Sequence, residues 1–286
     1  MAKQRTIGDR IFRACAFIGM GIFAFTYILL LLWMILSSFR TQNGFATDSF
    51  QFNDITWEQI KFNYIDAFTY EFSHGATIPM MIVNSLVYVV GSLIITTAMP
   101  CITGYIFAKY QFKIRTLLLN IIVLMMVIPT VGSMVVTYRF LDSLGLVNNG
   151  FWAILLMSSG GLGFGALMYR NYFAAIPWSY AESAFLDGAG NFTVFIRIML
   201  PQAVPLIVSL CIMGFIGTWN DFMTPYIYAN KSPTLAVGLQ QLTVDSKIAE
   251  PSAFAAMTFS TVIVLIVFCC FSDMIMNNMS AGGLKE

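Results

Sequence analysis

The sequence predicts an all-α polytopic membrane protein with six transmembrane helices and one helix-turn-helix loop, and three observations carry that prediction. Hydrophobic residues fill 58% of the 286 positions and charged residues only 10%, against roughly a quarter charged in soluble domains. The apolar residues gather in uncharged runs of about the 20 residues needed to cross the hydrocarbon. Between the fourth and fifth runs the chain turns polar, with residues 177–201 reading PWSYAESAFLDGAGNFTVFIRIMLP.

The first crossing, residues 14–38, follows Lys3, Arg5, Arg10 and Arg13. Basic flanks place the N-terminus in the cytoplasm. The apolar run is longer than the core of a cleaved signal peptide, so the segment is expected to stay in the mature chain. Residues 40–77 then form an external loop that mixes Asp48, Asp54, Glu58, Asp66 and Glu71 with Trp57, Phe62, Tyr64 and Tyr70. Its aromatics suit either the headgroup level or an outside partner. His74 reads as an ordinary loop residue.

The second crossing, 78–108, ends at Lys109, Lys113 and Arg115. Asn84, Tyr88, Ser92 and Thr96 recur every four residues, which keeps them on one slowly winding stripe. The stripe has two readings, a lining for a polar solute path or helix packing through small and polar side chains. The third crossing, 116–138, is interrupted by Pro129. A short outside turn through Leu144, Gly145 and Leu146 leads to the fourth, 147–169, which carries Gly160, Gly161, Gly163 and Gly165. Such glycines permit close backbone approach or local unwinding, and packing is the reading adopted.

Four crossings from an internal N-terminus bring the polar segment 177–201 back to the cytoplasm. Ser179 and Glu182 have the Ser-x-x-Glu spacing of a capping box, which predicts a short helix from Tyr180. Asp187 and Gly188 supply a stop, and Asn191 is placed to cap a second helix toward Pro201. Ala181, Ala184, Phe185 and Gly188 share one helix face at three- and four-residue spacing, a face that a partner's cleft could approach closely. The fifth crossing, 202–219, leads to an external stretch, 220–250, expected to touch an outside partner. The sixth, 253–272, returns the C-terminus to the cytoplasm.

Summed by side, Lys3, Arg5, Arg10, Arg13, Lys109, Lys113, Arg115, Arg170, Arg197 and Lys285 lie inside, against Arg40, Lys61, Arg139, Lys231 and Lys247 outside. The bias agrees with the positive-inside rule. No loop reaches the size of a soluble domain, so residues 1–286 are expected to form a single transmembrane domain.

A net charge of +1 argues against nucleic acid as a partner, which would require a basic surface. The five cysteines, Cys15, Cys101, Cys211, Cys269 and Cys270, lie in or beside apolar runs and read as free, buried thiols without metal-ligand spacing. No P-loop, His-Glu-x-x-His or Gly-x-Ser-x-Gly pattern is present, so the chain is not expected to be an enzyme. The apolar runs also lack the buried charges of ion-coupled carriers, apart from Asp221 and Asp273 at helix ends. An energy source outside this chain follows.

The residues Glu182-Ser183-Ala184, Asp187-Gly188-Ala189 and Ile198-x-Leu200-Pro201 resemble the EAA motif of ABC-importer permeases. Asn84-Ser85-Leu86, Thr103-Gly104-Tyr105 before Lys109-Tyr110, Leu144-Gly145-Leu146 and Thr218-Trp219-Asn220-Asp221-Phe222 are similar to carbohydrate-uptake permeases of the maltose and multiple-sugar type. The resemblance spans most of the chain. Ser183 replaces the usual second alanine, a small-for-small change. The resemblance implies an ABC type I importer-like fold in a bacterial cell membrane, with a second permease as heterodimer partner, a cytoplasmic ATPase dimer and an external solute-binding protein delivering sugar. ATP and Mg are then expected on the ATPase, with no cofactor held by this chain. Ala181, Glu182, Ala184, Phe185, Asp187, Gly188, Ala189, Leu200 and Pro201 would form the ATPase-coupling site. Asn84, Tyr88, Ser92, Thr96, Trp219, Asn220 and Asp221 are the substrate-path candidates. The absence of a large inserted domain matches the smaller, maltose-G-like subunit. Two rival readings are a permease for a non-sugar solute and a membrane scaffold that recruits an ATPase without translocating anything.

Overall fold

The computed structural model describes residues 7–128, 132–159, 163–243 and 248–281, and every regular element among them is helical. Pro129, Gly160, Gly161, Asp245, Lys247 and the terminal cations Lys3, Arg5 and Lys285 lie outside the described residues. Four helical stretches are long and apolar enough to cross a membrane: Phe12–Ser37, Ile78–Lys109, Asn191–Trp219 and Glu250–Cys270. The chain divides into two compact units, Met1–Tyr70 with Leu242–Thr261, and Glu71–Gln241 with Val262–Glu286.

In the first unit, α1 (Ile7–Ser37) is apolar on all sides, and Phe17 is 77% exposed. Exposed Leu, Ile and Phe on every face suit a helix whose solvent is lipid. Two short helices follow, α2 (Gln42–Thr47) and α3 (Trp57–Thr69), capped by Thr41 and Thr56, whose hydroxyls accept from the amides of Gly44 and Gln59. Their connection is tied by an ion pair absent from the sequence reading. Arg40 is 1% exposed, donates from Nε to Asp54 Oδ1 at 3.0 Å and from Nη1 to the Asp48 carbonyl at 2.7 Å, and lies over the Phe45 and Phe52 rings. Asn63 then donates to the carbonyls of Ser38 and Arg40 at 2.9 and 2.8 Å. Trp33, Phe45 and Phe254 pack beside this knot.

The second unit is built on α4 (Ile78–Lys109). The expected third crossing is two helices, α5 (Arg115–Val127) and α6 (Ser133–Ser143), because Ile128 turns extended (ψ 119°) and Gly132 takes φ +81°. The expected fourth crossing is likewise α7 (Trp152–Ser159) and α8 (Phe164–Ala175), with Gly163 non-helical at ψ −119°. Local unwinding therefore accounts for Gly163. Close approach accounts for Gly165, where a Cβ would lie 3.3 Å from Pro100 Cβ. Helices α4 and α8 cross closely, and a Cβ on Gly104 would fall 2.5 Å from Tyr169 Cβ and 2.8 Å from the Arg170 amide.

After α8 come α9 (Ser179–Leu186), α10 (Asn191–Val194), one π-turn (Phe195–Met199) and α11 (Leu200–Trp219). The boundary drawn between the loop, 177–201, and the fifth crossing, 202–219, is absent. Pro201 has no N–H to continue the ladder, and the π-turn absorbs it: the Leu200 N–H reaches back five residues to Phe195 O. Gln202 Nε2 caps the Ile198 carbonyl at 2.9 Å, and Tyr172 Oη donates to Gln202 O at 2.7 Å. Thus the second loop helix and the fifth crossing are one continuous rod. The chain continues through α12 (Met223–Tyr228) and α13 (Leu235–Leu242) to α14 (Glu250–Ala281). Of the cysteines, Cys101 is buried, but Cys15, Cys269 and Cys270 are exposed on apolar helices, which corrects the expectation of five buried thiols.

Candidate functional site

The polar loop is held by one aromatic anchor. Trp178 packs tilted against Phe185 at 6.0 Å and edge-on to Tyr110 at 6.3 Å, with Lys109 Nζ 5.7 Å from its ring centroid. Lys109 also donates to the Ile176 carbonyl, tying the end of α4 to the entry of α9. Because Trp178 is held in a helical conformation (φ −71°, ψ −19°), α9 starts one residue earlier than expected. Ser179 is then inside the helix, and no capping box forms. Its carbonyl accepts from Ser183 Oγ at 3.0 Å. Asn191 is likewise the first residue of α10 rather than its cap, and its Oδ1 accepts from Tyr110 Oη at 3.2 Å. At Asn191 a tertiary contact takes the side chain that local capping would have used.

The stop at Gly188 is a complete Schellman turn. The Gly188 amide donates to Phe185 O at 3.0 Å and the Ala189 amide to Ala184 O at 2.9 Å, with Gly188 at φ +84°. Two of the free carbonyls of the last helical turn are satisfied this way. A Cβ on Gly188 would meet nothing within 4 Å, so backbone geometry alone demands glycine.

The face chosen from spacing points inward. Ala181 is fully buried, and Ala184, Phe185, Ala189 and Leu200 pack against a cluster of Tyr105, Tyr169, Phe173, Val194 and Met199. Tyr105 lies 4.7 Å from the Phe195 ring and 5.4 Å from the Phe173 ring. Spacing identifies an apolar face but not what covers it, and here the chain covers it itself. The groups left outward are Glu182, Asp187, Pro201 and three that sequence reasoning missed: Leu186 at 89% exposed, Phe192 at 77% and Tyr180 at 54%. Leu186 and Phe192 flank the Gly188 turn. Their signal was in the sequence, as large apolar residues about one helical step from the inward face.

At the other end of α4, three side chains hold the segment after α11. Asn84 Nδ2 donates to Pro233 O at 3.0 Å, Ser85 Oγ accepts from the Leu235 amide at 2.8 Å, and Tyr88 Oη donates to Asp221 Oδ2 at 3.0 Å. Asp221 Oδ1 accepts from the Thr224 amide at 3.1 Å, and Tyr88 stacks on Phe151. Gly238 lets α13 press onto Met81, whose Sδ would lie 2.3 Å from an added Cβ. The polar stripe is therefore mostly internal. Asn84 and Tyr88 make packing contacts, Ser92 is 3% exposed, and only Thr96 faces outward, its hydroxyl turned back to Ser92 O. Trp219 is buried against Phe215, whereas Asn220 is exposed and caps Ile216 O at 2.8 Å.

Comparison with known proteins places this geometry. The model of a family described as binding-protein-dependent transport system inner membrane component matches residues 101–282. The diacetylchitobiose uptake system permease protein NgcG of Streptomyces coelicolor is 27% identical over 290 residues, covering 100% of this chain and 93% of that protein. The galactooligosaccharides transport system permease protein GanQ of Bacillus subtilis is 28% identical over 258 residues, covering 89% of each. Among solved structures, a chain of a bacterial ABC transporter involved in the import of the acidic polysaccharide alginate superposes with a TM-score of 0.78. At 21% identity, with 95% of this chain and 99% of that one covered, the likeness is one of fold.

Proposed function

The chain belongs to the family of binding-protein-dependent transport system inner membrane components, and from that premise we infer a permease subunit of an ATP-driven importer that moves sugar or oligosaccharide. It is a transport protein of the membrane, not an enzyme. Its relatives include uptake permeases named for diacetylchitobiose and galactooligosaccharides, which supports a carbohydrate cargo. An external solute-binding protein hands the sugar to the permease.

The observation that carries this reading is the rigid loop 177–201, in which a Schellman turn presents Leu186 and Phe192 outward from a packed aromatic cluster. Such a knob suits a cleft in a cytoplasmic ATPase, and the unbroken rod Asn191–Trp219 would carry its motion into the membrane. ATP and Mg would be held by that ATPase dimer. A second, different permease would complete the translocation path, with both termini of this chain in the cytoplasm, as the distribution of Lys and Arg supports. The test is reconstitution with the second permease, the ATPase and the binding protein in proteoliposomes. ATP-dependent uptake of a labelled di- to hexasaccharide is expected. ATP-dependent uptake of a non-sugar solute alone, across a panel that includes chito- and galacto-oligosaccharides, would overturn the cargo.

A further inference from the structure

We propose that the crevice between α4 and the π-turn–α11 rod binds one acyl chain of an anionic phospholipid from the cytoplasmic leaflet, with Arg197 at its headgroup. The proposal rests on the orientation inferred above. The crevice is an open groove of about 500 Å³, and its wall runs along α4 from Val90 to Ile102 and along the rod from Phe195 to Cys211. The twelve steps from Val90 to Ile102 rise about 18 Å, close to the roughly 15 Å of one hydrocarbon leaflet.

The wall chemistry selects hydrocarbon. Besides aliphatic and aromatic groups it holds Thr97, Cys101 and Cys211, and Thr97 Oγ1 and the Cys211 thiol bond to each other at 3.2 Å. That pairing leaves the hydroxyl no demand on a ligand, so a sugar or headgroup would enter without compensation. Charge then selects the lipid. Arg197 follows the wall residues Phe195 and Ile196, is exposed, and has no hydrogen bond or ion pair among the described residues. With the rod entering the membrane from the cytoplasm, this cation sits at headgroup depth, where an anionic lipid is favoured.

The test uses the whole importer in vesicles doped with phosphatidylglycerol carrying a photoreactive acyl chain, and a parallel sample with the same chain on phosphatidylcholine. Crosslinks mapped by mass spectrometry are expected in residues 90–102 and 195–211, about fivefold more from phosphatidylglycerol, as one basic residue at the surface implies. Arg197→Gln should bring the two lipids to parity, and Ala98→Trp, which fills the crevice, should remove the crosslinks. If Ala98→Trp does not assemble, Arg197→Gln decides, since its side chain is exposed. Equal yields from both lipids in the unaltered protein, or crosslinks from this segment to the second permease in place of lipid, overturn the proposal. Arg197→Cys in intact cells separates the two readings. Labelling by an impermeant maleimide from outside would refute the orientation itself, whereas protection together with absent lipid preference refutes only the lipid site.

Discussion

Tyr88, in the N-terminal half of α4, donates its phenol proton to Asp221 at 3.0 Å, joining the longest helix of the second unit to the Trp-Asn-Asp segment that ends α11. Asn84 and Ser85 extend the contact to Pro233 and Leu235, so the segment 220–241 is clasped to α4 at three points rather than hanging free. A segment held this way can pass a push at its surface to the long helix α4.

Tyr88→Phe tests the clasp, because it deletes the hydrogen bond and keeps the ring that stacks on Phe151. A lost bond to a carboxylate costs about 1.5–3 kcal/mol when the site is buried. The variant is expected to unfold at lower temperature in purified form and to be cleaved faster within residues 220–241 under limited proteolysis. Unchanged cleavage would show that the other two contacts suffice.

The ion pair in the first unit gives a pH prediction. Burial raises the Asp54 pKa, but hydrogen bonds from Thr41 and Arg40 outweigh it and hold the carboxyl at about 2, below its ordinary 3.8. A lowered pKa means stability that is fully present above about pH 4 and lost as the pH falls toward 2. Acid unfolding of the first unit should therefore lose steepness over that window in Asp54→Asn. Gly44→Ala should produce a similar defect at neutral pH, since its Cβ would lie 2.1 Å from Asp54 Oδ2.

Gly104 sets the approach of α4 to α8. A Cβ there would collide with the Tyr169 Cβ and the backbone of Ala166 and Arg170, none of which can rotate away. Gly104→Ala should destabilise by about 1–3 kcal/mol, the usual range for an overpacked core. The check is the folded, detergent-soluble yield. Gly217→Ala makes a suitable comparison, because nothing lies within 4 Å of its Cβ position.

What the sequence made legible was whatever depends on composition and local chemistry. Apolar runs located the membrane helices, and the need for φ > 0 located the Gly188 turn. Contacts between distant residues stayed hidden. Arg40 read as one more surface cation because nothing in its own stretch reveals that Asp54 and two Phe rings will enclose it. The loop and the fifth crossing read as separate elements meeting at residue 201 because the five-residue reach of the π-turn is a property of the packed rod. The capping box failed for the same reason: Trp178 is fixed by Tyr110 and Phe185, and that tertiary anchor outvotes a hydroxyl.

The inward turn of Phe185 separates two pictures of the loop 177–201, and a pair of substitutions decides between them. In the picture drawn from spacing, Phe185 enters the ATPase and its loss would abolish docking while sparing the fold. In the structure Phe185 packs on Trp178 and the cluster around Tyr105 and Phe173, and Leu186 and Phe192 are the exposed knobs. Phe185→Ala should then act on stability, costing about 2–3 kcal/mol of lost burial, with ATPase association weakened only as far as the loop loosens. Leu186→Ala and Phe192→Ala remove little or nothing from the subunit's own core and should leave its melting temperature unchanged. If the loop docks, each lowers the ATPase retained on copurification and the uptake it drives. Gly188→Ala belongs with Phe185→Ala, since an alanine held at φ +84° costs about 1 kcal/mol or more. Full ATPase retention in the Leu186→Ala, Phe192→Ala double variant, alongside loss in a thermally intact Phe185→Ala, would restore the spacing-based face and overturn the outward knob.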